Sequence, residues 1–143
     1  MWVDIGVYLF MISGTLAGAV QHLFNFNDIA KDLTPKAFDL TTKFINPAAK
    51  FWGGDFLASV FLAQAGMAIV YGRHPLVREA YLVLTGLMFS FVGIAWSTRG
   101  DLVGNPDRTN VIGMDFGLAT LAFVGAFLAR RERLQSYKKS KSL

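Results

Sequence analysis

Three side chains able to exchange protons lie within or beside strongly apolar stretches: His22, Asp55 and Asp115. Asp55 belongs to "FWGGDF" at 51–56 and Asp115 to "VIGMDF" at 111–116, so Gly-x-Asp-Phe opens both stretches. Two carboxylates and an imidazole could act as general acid and base, or bind a cation through oxygen and nitrogen. An ionised group is costly at the centre of a bilayer and less so near its edge. A carboxylate at such a depth pairs with a cation, holds a proton or faces a hydrated cavity. His22, Asp55 and Asp115 therefore form the candidate catalytic set. Trp96, Arg99, Asp107, Arg108 and Gln64 form the candidate binding set around them. The competing reading is structural. Asp115 would then cap the start of its own helix, where the helix dipole favours an acid, or pair with Arg99 or Arg108 to hold helices in register.

That chemistry depends on the elements that carry it. Of 143 residues, 53% are hydrophobic and only 17% charged, against about 25% charged in a soluble domain. Mean hydropathy is +0.40. The charges are clustered and leave long apolar gaps, the pattern of a chain that crosses a membrane several times. Four spans are expected, at 3–24, 51–71, 77–96 and 111–129, each near the length of about 20 residues that a hydrocarbon core requires. The first has Asp4 as its only acid, and no lysine or arginine precedes Lys31. A cleaved signal peptide begins with basic residues, so this span is read as a retained helix. The fold class is thus all-α: a polytopic membrane protein with four helices in a compact bundle at 1–129.

The connectors add detail. In 25–50, Thr34-Pro35 offers a helix start. Ala37, Leu40 and Phe44 then recur at helical spacing among Lys36, Asp39 and Lys43, predicting a short amphipathic helix in the membrane interface. "GRHP" is a tight link in which His74 reads as a solvated loop residue. Gly104-Asn105-Pro106 makes a turn in the last connector. Small residues at Gly14, Ala17 and Gly18, and at Gly117, Ala119 and Gly125, predict close helix contacts, while mid-span Gln64 suits an interhelical hydrogen bond. The shared Gly-x-Asp-Phe pattern, with Arg73 and Arg133 equally far downstream, is compatible with a parallel two-plus-two repeat. Little else in the two halves aligns, and chance explains it as well.

Arg73, Arg78, Arg130, Arg131, Arg133, Lys138, Lys139 and Lys141 fall on the side shared by both termini, whereas Asp28, Asp32, Asp39, Asp101 and Asp107 fall on the other. Both termini are accordingly expected in the cytoplasm. His22, Asp55, Arg99 and Asp115 would then share one layer near the opposite face. The net charge is +4 and the isoelectric point about 9.6. The basic tail at 130–143 nevertheless reads as an anchor against anionic headgroups, with no nucleic-acid partner. Lys139 and Lys141, fifth and third from the end, match the dilysine retrieval pattern. The expected membrane is the endoplasmic reticulum in a eukaryote and the inner membrane in a bacterium. The chain has no cysteine, which removes disulfides and thiolate chemistry. No metal spacing such as H-E-x-x-H, nucleophile elbow or phosphate loop occurs. No cofactor is specified, and the expected partners are membrane lipid with other membrane subunits or further copies of the chain.

Three functions fit these features. The first is an accessory or scaffold subunit of a larger membrane complex, favoured by small size and the absence of a specific catalytic motif. The second is a small membrane enzyme with a His/Asp acid–base site, acting on a lipid-soluble substrate such as a sterol, terpenoid or quinone. The third is a cation- or proton-coupled transporter subunit.

Overall fold

The computed structural model describes residues 2–25, 55–98 and 108–141. Four helices make up nearly all of them: α1 (Trp2–Phe24), α2 (Leu57–Tyr71), α3 (Pro75–Thr98) and α4 (Arg108–Lys141). Among the described residues there is no strand. Helices α1, α3 and α4 are long and apolar enough to cross a membrane. Helix α2 has 15 residues, or about 22 Å at about 1.5 Å per residue, and a π-type turn at Asp55 and Phe56 leads into it. The amphipathic helix expected within 25–50, the start of the second span at 51–54 and the turn at 104–106 lie outside the described residues.

The link between α2 and α3 shows how sequence sets a helix boundary. Pro75 occupies the first position of α3, where its missing N–H costs nothing. His74 stands just before it, and its Nδ1 accepts the Leu76 N–H at 3.3 Å, as a capping side chain does for an otherwise orphaned donor. His74 thus stays exposed as expected but also starts a helix. Gly72 ends α2 in an ordinary right-handed conformation. It is needed for space: a Cβ there would lie 2.6 Å from Tyr8 Oη and would also strike the Ala68 carbonyl oxygen.

Helices α3 and α4 share the most extensive contact, and their register is antiparallel. A Cβ added to Gly93 would meet the Phe116 ring at 3.2 Å, one on Gly86 the Phe123 ring at 2.8 Å, and one on Gly125 the Leu82 side chain at 3.1 Å. Farther along, Arg78 reaches Glu132. In lipid, helix association rests on close packing rather than on expulsion of water, and glycines opposite phenylalanines provide that fit. Of the small residues singled out in the sequence, Ala119 and Gly125 are buried and Gly18 touches Phe61, whereas Gly14 and Gly117 have nothing near. Gly86 and Gly93 carry more of the packing.

Helix α2 runs antiparallel beside α1. Tyr8 Oη donates to the Ala68 carbonyl, and near the other end His22 meets the Phe61 ring edge-on at 5.7 Å. Helix α1 joins α3 through Tyr81, whose hydroxyl shares a 2.8 Å hydrogen bond with Thr15 Oγ1 and whose ring stands edge-to-face on Tyr8 at 5.3 Å. Tyr8, Met11, Ile12, Ala65, Ala68, Tyr81, Leu82, Ala122 and Ala126 form the core. Helix α4 does not stop at 129 but continues unbroken through Lys141.

Candidate functional site

Asp115 lies on the inward stripe of α4, in line with the buried residues Ala119, Ala122, Ala126 and Ala129. These recur three and four apart, the spacing of one helix face. Asp115 is 5% exposed, and its Oδ2 accepts no hydrogen bond. A buried acceptor left unsatisfied costs about 1–3 kcal/mol, more when charged. Interhelical packing alone gives no reason to keep this acid. It does not cap its own helix either, because α4 begins seven residues earlier, at Arg108.

The other expected residues occupy varied positions. His22 is half-buried in the last turn of α1, against Phe61. Asp55 is exposed at the turn before α2, and its carbonyl accepts the Ser59 hydroxyl at 2.8 Å. Gln64 is half-buried on α2, and Trp96 lies in the last turns of α3. Arg108 is the first residue of α4, while Arg99 and Asp107 lie outside the described residues. Asp115 therefore points inward as expected, whereas Asp55 faces outward. Among the described residues no three histidines or acids come together in a way that could hold a metal ion.

A second polar cluster, not anticipated from the sequence, lies at the opposite end of the helices. Asp4 is only 1% exposed, and its Oδ2 lies 3.5 Å from Arg78 Nη2. The same nitrogen donates to Glu132 Oε2 at 2.8 Å. Nη1 of Arg78 donates to the carbonyls of Gly72 and Arg73, at 3.0 and 3.2 Å. One guanidinium thus ties together the start of α1, the α2–α3 link and α4. Arg133 Nε donates to Glu79 Oε2 at 2.8 Å beside it. The planar fork of arginine suits such a junction, since it offers five donors in fixed directions. A signal for this pairing was present in the sequence: Arg78-Glu79 and Glu132-Arg133 are mirror-image dipeptides. Each dipeptide holds one acid and one base, and the pairs that form are the crossed ones, Arg78 with Glu132 and Arg133 with Glu79.

Comparison with protein-family models, curated proteins and solved structures finds no match to this chain.

Proposed function

We propose that this protein is an accessory or scaffold subunit of a larger membrane complex, crossing the bilayer four times with both termini in the cytoplasm. The observation that carries this reading is the outer face of α2. The helix buries only the stripe Ala58, Ala65 and Ala68, while Leu57, Val60, Leu62, Met67, Ile69, Val70 and Tyr71 are exposed. Small residues hold α2 close to α1, leaving a broad apolar face for lateral association. The topology has support from contacts: Asp4, Arg78 and Glu132 meet at one end, and α2 returns alongside α1 toward that end. Charges spent on clamping helices suit a structural module.

A second reading, a His/Asp site for a lipid-soluble substrate, is favoured by the unpartnered Oδ2 of Asp115. One experiment separates the two. The native protein, Met67→Trp and Asp115→Asn are each solubilised gently and examined by native mass spectrometry and thermal melting. A scaffold forms a complex of fixed stoichiometry that Met67→Trp disrupts and Asp115→Asn leaves intact, with melting unchanged or higher in Asp115→Asn because the buried Oδ2 there accepts no hydrogen bond. A site function predicts the opposite: assembly survives Met67→Trp, while Asp115→Asn abolishes a bound small molecule or turnover without impairing insertion.

A further inference from the structure

The cytoplasmic clamp divides the charges of α4 between two faces. At about 3.6 residues per turn, Glu132 and Arg133 continue the inward stripe of Ala126 and Ala129. There Glu132 is held by Arg78 and Arg133 by Glu79. Phe127, Arg130, Arg131, Leu134, Gln135 and Lys138 lie on the opposite face and line an open groove of about 390 Å³. All six are exposed. Glu79 and Glu132 are each paired with an arginine; Glu132 stays partly exposed beside Arg131 and Gln135, while the described residues lining the groove itself include three cations and no carboxylate.

Depth gives the groove its meaning. From Val111 to Ala129 the helix is apolar apart from Asp115 and Thr120, and at about 1.5 Å per residue it covers about 28 Å, close to the hydrocarbon thickness of about 30 Å. Phe127 then lies at the end of the acyl region, and Arg130 and Arg131 at the level of the lipid phosphates. Leu134, Gln135 and Lys138 stand one and two turns farther out. An apolar ring lies below two guanidiniums, with Leu134, an amide and an ammonium above, so that chain and phosphate of a phospholipid meet the ring and the guanidiniums in order. Guanidinium groups bind phosphate oxygens in pairs.

We infer that the α4 groove formed by Phe127, Arg130, Arg131, Leu134, Gln135 and Lys138 is a binding site for one anionic phospholipid, its phosphate held by Arg130 and Arg131. This does not depend on the scaffold reading, since any membrane function could use a bound lipid. It differs from a diffuse basic anchor in assigning the affinity to one face of one helix.

The test compares full-length protein in nanodiscs of phosphatidylcholine with a minor fraction of phosphatidylglycerol, using native mass spectrometry after mild release. Three proteins are compared: the native chain, Arg130→Gln/Arg131→Gln, and Arg73→Gln/Lys139→Gln, which loses the same charge at the same end. The expected result is one phosphatidylglycerol retained by the native chain and by the equal-charge control. Retention should fall about tenfold or more in the groove variant, from the loss of two interfacial cations. Equal loss in both variants would show only a diffuse field and overturn the site, as would equal retention in all three. Displacement of the lipid by millimolar inorganic phosphate or by an acidic peptide would overturn the lipid as occupant. Arg130→Lys/Arg131→Lys guards against misfolding: it keeps the charge, and a specific phosphate site should still lose part of its retention while the melting temperature stays at the native value.

Discussion

Replacing Arg78 with methionine tests how much of the fold depends on a single side chain. Methionine keeps most of the aliphatic stem and removes the guanidinium. The variant loses the donors to the Gly72 and Arg73 carbonyls, the 2.8 Å bond to Glu132 and the charge 3.5 Å from Asp4. Removing one partner of a buried ion pair costs about 3–5 kcal/mol, because the remaining charge loses its compensation. The Glu132 side chain is 28% exposed and reaches water, whereas that of Asp4 is 1% exposed. The lower figure of about 3 kcal/mol therefore applies. For a chain of this size, each kcal/mol lowers the melting temperature by about 2–4 °C, so Arg78→Met should melt roughly 6–12 °C lower. Melting in mild detergent at one fixed scan rate gives the comparison, since such transitions are often irreversible. Adding Glu132→Gln to Arg78→Met should cost less than the two single changes summed, a coupling that two independent sites would not show. If Arg78→Met melts within about 2 °C of the native protein, or if Glu132→Gln adds its full cost on top of Arg78→Met, the clamp does not hold the helices as described.

Two further predictions concern glycine contacts. Gly86→Ala places a Cβ 2.8 Å from the Phe123 ring and should cost about 1–3 kcal/mol, with Phe123→Leu in the same chain restoring the melting temperature; Gly93→Ala, at 3.2 Å from Phe116, should cost less. Gly72→Ala should cost more than either and be only partly relieved by Tyr8→Phe, because removing the Tyr8 hydroxyl leaves the collision with the Ala68 carbonyl.

Some of this could be read from residue order alone. The density of apolar residues marks α1, α3 and α4 as long enough for a bilayer, since length and hydropathy are local properties of a segment. Pro75 marks the start of α3 for an equally local reason, its fixed backbone angle and missing N–H. Asp115 was legible as an acid that had to face inward, because the alternative was lipid.

The partners of these groups could not be read that way. A polar side chain in a helix has several candidate neighbours, and selection among them depends on helix rotation and register. Rotation is set where Gly86 admits Phe123 and Gly93 admits Phe116. Once those contacts fix α3 against α4, Arg78 must face Glu132, and Arg130 and Arg131 must face away. Asp55 shows the same limit from the other side: its spacing matches that of Asp115, yet it faces outward while Asp115 is enclosed. The order of residues determined which segments are helical and apolar. Only the packing of those helices decided which charges are joined and which are left exposed, because that choice arises from steric fit between surfaces distant in the chain.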